Sequence, residues 1–278
     1  MEKILVTMDA TKLNRNLLDF AAYVARLTHS KITGVFLESP EAEEIVPVRK
    51  SVLGMPYVDS IVAGNLPEVK ERNKLYNENV KLFKEACDTR GIPYSLCYNH
   101  CLADIITESR FADVLIVDAE MSFNSQYDGT PSSFIKEVLA KAECPVIIAP
   151  FHFTAIEEIL FAYDGSMSCV FAMKQFTYLF PELADKKIRV LEVNAHKDSE
   201  ITQRNKVGEW LKMHYSCIGF ELLHGNASTS LLQQLLGKQN TFVVMGAFGR
   251  NMLSGFFKHS TAELVIRTID LPVFIAHH

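Results

Sequence analysis

Asp164 closes the apolar run Ile159-Leu-Phe-Ala-Tyr163 and is followed by Gly165-Ser166. Met245 closes a second run and leads into Gly246-Ala247-Phe248-Gly249-Arg250, and His259, Ser260 and Thr261 follow Gly249 after nine intervening residues. Residues of these types can hold a mononucleotide. A carboxylate accepts hydrogen bonds from ribose hydroxyls, glycines let backbone N–H groups approach phosphate, and a Ser or Thr hydroxyl at a helix start lies where the dipole favours negative charge. Arg250 is the one basic residue well placed for a phosphate.

Those residues need strands that end together and helices that begin there. Continuously apolar, β-branched runs mark strands buried on both faces. They fall at 4–8, 32–37, 94–98, 114–117 and 146–149, and again at 159–163, 188–193, 219–223, 242–245 and 273–276. Helical stripes lie between them, such as Leu17, Ala21 and Val24, or Leu231, Leu232 and Leu235. The alternation predicts an α/β chain with parallel sheets and right-handed crossovers. In such sheets ligands bind beyond the carboxyl ends of the strands, where strand order reverses.

The pattern occurs twice. Lys3-Ile-Leu-Val-Thr-Met-Asp9 returns as Glu158-Ile-Leu-Phe-Ala-Tyr-Asp164, and Cys144-Pro-Val-Ile-Ile-Ala149 as Leu271-Pro-Val-Phe-Ile-Ala276. The 278 residues therefore divide into units 1–151 and 152–278. The first is longer because of a Pro- and Gly-punctuated stretch, 38–67, read as a long loop that is either a functional cover or a plain insertion. A net charge of −5 argues against a nucleic-acid partner. The first unit holds 16 basic and 21 acidic residues and the second 12 of each, so a polyanion is expected to prefer the second. The early acidic residue and the absence of a long apolar run predict a cytoplasmic protein with no membrane partner, and six scattered cysteines suit reduced thiols.

The strand-terminal Asp164 and Gly246-x-x-Gly249, nine residues, His259-Ser260 resemble the signature of ATP-binding universal stress proteins. The whole chain is similar to a tandem of two UspA-type domains. His259 stands where that signature has its third glycine. The resemblance implies five strands per domain in the order 3-2-1-4-5, with Val146–Ala149 pairing Val273–Ala276 as an intramolecular pseudo-dimer. It also implies ATP or a related adenine nucleotide, with Mg as its companion, and a homodimer as a further assembly. Asp164 would meet the ribose, Val193 and Met245 the adenine, and Gly246, Gly249, Ser260 and Thr261 the phosphates, with Arg250 beside them. A gapless alignment on Pro145 and Pro272 places Ala119, Ser122 and Ser132 on the glycine positions of the first unit and Ser133 on the Ser. Each adds a Cβ where backbone must approach phosphate, so no ATP is expected there, and Asp9 is read as a fold or vestigial residue.

Each of these residues also has a structural reading. Ser260-x-x-Glu263 is a capping-box pattern, and Asp164-Gly165 is a turn-maker. Cys97-x-x-His100-Cys101 reads as buried thiols rather than a metal site, and Ser228 or Thr229 is expected to cap the helix after Gly225. No catalytic pair for phosphoryl transfer and no P-loop lysine is present. The expected function is a non-catalytic nucleotide-binding or sensing module in stress response. The alternative is a protein-interaction scaffold in which both sites have decayed.

Overall fold

The computed structural model describes residues 1–37, 46–52, 55–61, 67–98, 101–122, 129–195, 200–246 and 261–276. The first unit contributes β1 (Lys3–Asp9), α1 (Arg15–Leu27), β2 (Lys31–Leu37), β3 (Val46–Val52), β4 (Met55–Ile61), α2 (Pro67–Thr89), β5 (Tyr94–Tyr98), α3 (Leu102–Ser109), β6 (Val114–Val117), α4 (Ser133–Lys141) and β7 (Val146–Ile148). The second contributes β8 (Glu158–Tyr163), α5 (Met167–Leu179), β9 (Lys187–Asn194), α6 (Arg204–Lys212), β10 (Ile218–His224), α7 (Ala227–Leu235), β11 (Thr241–Gly246), α8 (Thr261–Thr268) and β12 (Val273–Ala276).

Ten strands form one sheet in the order β10-β9-β8-β11-β12-β7-β6-β1-β2-β5. Numbered within each unit, both halves run 3-2-1-4-5, and every pairing is parallel except the central one. There β12 meets β7 antiparallel, with Val273 opposite Ile148 and Ile275 opposite Val146. The seam buries two short apolar strands that would otherwise be exposed edges. The five inner residues of β1 and all four of β12 are buried, as a strand covered by helices on both faces must be.

Alternation of side chains splits the interior into two layers. On one face Ile4, Val6 and Met8 pack with α1, and Phe161 and Tyr163 with α5. On the other, Leu5 and Leu115 pack with α4, and Leu160, Val243 and Met245 with α7 and α8. Both layers cross the seam: Phe20 of α1 meets Phe242 of β11 edge-on at 6.4 Å, and Lys136 of α4 pairs with Glu263 of α8 at 2.8 Å.

The stretch read as a loop contains a hairpin. β3 and β4 pair antiparallel from Val46–Ile61 to Val52–Met55. Pro47 and Pro56 had argued against strands, but an isolated two-stranded ribbon has a free edge on each strand, where Pro removes no ladder bond.

Candidate functional site

The second unit places three of the expected residues on one face. Asp164 lies just past the last β8–β9 pair, Tyr163–Glu192, and thus opposite Val193. Met245 pairs with Ala162. By the two-residue period of a strand, Asp164, Val193 and Met245 all face the layer of α7 and α8, at the carboxyl end of the sheet where the order turns from β8 to β9 on one side and β11 on the other. Met245 is buried, Val193 half-buried and Asp164 exposed.

A two-residue connection, Gly165-Ser166, turns the chain from Asp164 into α5. Asp164 Oδ1 accepts from the Ser166 N–H at 2.8 Å, and Ser166 Oγ caps the helix by accepting from the Cys169 N–H at 3.2 Å. Burial pushes the Asp164 carboxyl up, but hydrogen bonds from Cys169 and Ser166 outweigh it and hold the group below the ordinary carboxylate range. Burial, reinforced by that same carboxylate, pushes the Cys169 thiol up to about 11. The site therefore offers a charged carboxylate and a neutral thiol, not a thiolate nucleophile.

Gly246 is needed for contact rather than for turning. A Cβ there would lie 2.6 Å from Cys169 N and Ser168 C, both backbone atoms of the first turn of α5. Thr261 opens α8, and its hydroxyl is 2.7 Å from Ser228 Oγ on α7. Gly249, Arg250, His259 and Ser260 lie outside the described residues. Asn226, not Ser228 or Thr229, caps α7, accepting from the Thr229 N–H at 3.0 Å. It has the extended conformation that an N-cap requires, and it follows Gly225 at positive φ.

A buried clasp escaped the sequence reading. Glu192, 4% exposed, accepts from both Thr202 N and Thr202 Oγ1 at 2.7 Å. This fixes Thr202 against Gly165, whose Cβ would lie 2.6 Å from Thr202 Cγ2. Tyr163 is buried beside Glu192, and its hydroxyl has no hydrogen-bond partner among the described residues.

The first unit is built differently at the same place. Leu5 pairs with Leu115 in one unit and Leu160 with Val243 in the other, so Val117 matches Met245 and Asp118 matches Gly246. The gapless alignment is corrected by one residue: Asp118, not Ala119, stands in the position of the first glycine. The spacing shifts because the two units differ in the number of residues between their fourth and fifth strands. Ser132, aligned with His259, caps α4, accepting from the Ile135 N–H at 3.2 Å.

Five residues, Ala10 to Asn14, connect Asp9 to α1, against two in the second unit. Asp9 Oδ1 organises them by accepting from Thr11 N, Thr11 Oγ1 and Lys12 N at 2.7, 2.7 and 3.2 Å. The longer connection sets α1 back from the strand ends and leaves a cavity of about 430 Å³. Neither the cavity nor the role of Asp118 in lining it was read from sequence, although the connector lengths carried the signal. Among the described residues no group of His, Cys, Asp and Glu is disposed to hold a metal ion, and no helix is long and apolar enough to cross a membrane.

Two five-stranded α/β units joined through their fifth strands, each with a strand-terminal Asp at its switch point, define a tandem UspA-type fold. Over its full length the chain is similar to universal stress proteins. Universal stress protein Slr1230 from Synechocystis is 23% identical over 289 residues, covering 98% of this chain and 99% of that protein. A universal stress protein from Archaeoglobus fulgidus superposes with a TM-score of 0.73 at 15% identity, over 99% of this chain and 98% of that one. A functionally unknown protein from Pseudomonas aeruginosa does so with a TM-score of 0.59 at 17% identity, over 100% and 92%. No family model matches the chain.

Proposed function

We propose that the chain is a tandem universal stress protein that binds an adenine nucleotide at the carboxyl ends of β8 and β11, without turning it over, and acts in the cytoplasm as a sensing module. The observation that carries this reading is Asp164: an exposed carboxylate kept ionised by its own helix cap, on the same sheet face as Val193 and Met245. Ribose hydroxyls donate to such a carboxylate, and a planar base fits between apolar side chains. The described residues suit the nucleoside part of ATP or AMP. By the resemblance, its phosphates and any Mg accompanying them would fall to Gly246 and Thr261 together with Gly249, Arg250 and Ser260, which lie outside the described residues. The thiol beside Asp164 is held neutral, with its pKa pushed up to about 11, so it is not poised as a nucleophile, which favours binding over turnover.

A second reading also has its observation. Gly246 is already required by α5, Thr261 is already paired with Ser228, and Ser166 already caps a helix. A scaffold with no nucleotide would keep all three, and a homodimer or another protein would then be the partner. Calorimetric titration of ATP separates the two. Saturable heat that falls at least tenfold in Asp164→Ala, with the thermal midpoint followed in parallel, supports binding. No heat with the unmodified chain leaves the scaffold.

A further inference from the structure

The ten-stranded sheet ends at β10. The Ile188 N–H donates to Cys217 O and the Gly225 N–H to Asn194 O, so the odd-numbered residues from 217 to 225 bond β9. Ile218, Phe220, Leu222 and His224 therefore turn their N–H and C=O groups outward, where these have no partner among the described residues. Natural edge strands are commonly blunted by Lys, Pro or a bulge. β10 reads Ile-Gly-Phe-Glu-Leu-Leu-His, and its seven pairs with β9 run without interruption. Its one carboxylate, Glu221, is taken up by Arg189 Nη1 at 3.0 Å.

Beside this edge lies a groove of about 710 Å³, on the opposite sheet face from Met245 and so separate from the nucleotide site. Phe220 and Leu222, half-buried, form its floor, and the start of α6 forms its wall. Glu192 clasps Thr202 between the lining residues Ile201 and Gln203, so the wall is held in place before any partner arrives. Arg204 lies over the Phe220 ring, 5.3 Å from its centre, and Lys206 stands beside it on the rim. Both are exposed, and neither has an ion-pair partner among the described residues. Against Glu200 they leave the lining one positive charge in excess, on a chain whose net charge is −5.

An unpaired edge calls for an extended backbone, whose side chains alternate between the two faces of the sheet. On the α6 face they would lie beside Phe220 and Leu222 and within the field of Arg204 and Lys206, which suits a carboxylate. On the other face they would lie beside Gly219, Glu221 and Leu223, which suits an apolar residue and repels an acid. A second copy of β10 fits less well, because full antiparallel overlap about a two-fold axis sets Glu221 against itself.

We propose that β10 and its groove bind an extended segment of a partner protein by strand addition, the segment alternating acidic with apolar side chains. The probe is a fluorescein-labelled, end-blocked peptide of seven residues, the length of β10, alternating Val and Glu. It is titrated with the full-length chain and followed by fluorescence anisotropy. The expected result is saturable binding that a Val–Lys peptide lacks. Two N-methylated forms, one blocked at every Val amide and the other at every Glu amide, separate strand addition from charge attraction. One edge of the peptide docks, so one form should bind at least about tenfold more weakly than the other. Lys206→Glu, an exposed change, should weaken the Val–Glu peptide about fivefold at an unchanged thermal midpoint. Leu222→Pro removes an outward N–H and none of the bonds to β9, so it should also weaken the peptide about fivefold in a chain that still folds. Three results overturn the proposal: no saturable binding of the Val–Glu peptide, equal affinity for the two N-methylated forms or for the Val–Lys peptide, or a dimer of the unmodified chain in sedimentation equilibrium that Leu222→Pro dissociates. The last would give the edge to a second copy.

Discussion

The turn from β1 into α1 and the turn from β8 into α5 occupy the same place in two copies of one fold, yet one leaves a cavity and the other a contact. Both begin with an Asp that binds the N–H two residues on. The second unit then enters its helix after two residues, and the helix backbone comes within 2.6 Å of where a Cβ on Gly246 would stand. The first unit spends five residues, and Asp118 fits in the space this creates, accepting from Asn14 at the helix cap. The length of a connector thus decides whether a strand end is packed or open, and the residue facing it, Gly or Asp, follows from that.

The largest test of this comparison is a methyl group. Gly246→Ala places a Cβ against backbone atoms that cannot swing aside, an overpacking that should cost about 3 kcal/mol. Asp118→Ala, at the matching position, loses a cap-like hydrogen bond and should cost about 1 kcal/mol. Urea unfolding of the two variants checks the pair. Equal costs would mean that the helices approach their strand ends alike.

Much of the fold could be read from the chain because buried parallel strands are continuous apolar runs. Tyr94–Tyr98, Val114–Val117 and Val273–Ala276 match those runs at both ends, whereas the pairing of 146–149 with 273–276 came from the resemblance to tandem UspA-type domains. The hairpin 46–61 was missed because Pro47, Gly54 and Pro56 signal breaks unless both strands are edges. The one-residue displacement of Asp118 against Gly246 was missed for another reason: a gapless alignment fixes the last strand and carries any difference in connector length into the site. Asp164, Val193 and Met245 were legible as strand ends. The clasp of Glu192 on Thr202 was not, since nothing local marks a buried carboxylate whose donor lies ten residues on.

The opposite ends of the same strands sharpen the contrast. Lys3 opens β1 and pairs with Glu108 at 3.0 Å, each side chain about a third exposed. Glu158, at the matching position in β8, is 9% exposed and meets Lys238 Nζ at 3.0 Å and Arg189 Nη2 at 3.3 Å. Burial raises the Glu158 carboxyl, but the hydrogen bond from Lys238 and the charges of Arg189, Lys238 and Lys187 outweigh it and set it below the ordinary value. A carboxyl depressed in the folded state adds stability that is fully present above its unfolded pKa, near 4.3, and is lost as pH falls through the folded one. Glu158→Gln should therefore cost about 2 kcal/mol at neutral pH and progressively less under acid, whereas Lys3→Gln should cost about 0.5 kcal/mol. Stability curves against pH that run parallel for Glu158→Gln and the unmodified chain would remove Glu158 from the acid response.

The smallest effect concerns the two-residue connector itself. Gly165 has a φ of +76°, which a side chain resists, and a Cβ there would lie 2.6 Å from Thr202 Cγ2. The two costs separate because Thr202→Ser keeps the hydroxyl that Glu192 accepts and removes the methyl. Gly165→Ala should cost about 1.5 kcal/mol in the unmodified chain, and about 1 kcal/mol, the backbone share alone, in the Thr202→Ser background. The five-residue connector of the first unit has no residue at positive φ, so Lys12→Ala should stay within about 0.5 kcal/mol of the unmodified chain. If the cost of Gly165→Ala is the same in both backgrounds, Thr202 is not held over the turn, and the clasp by Glu192 does not govern how closely the second unit packs its strand ends.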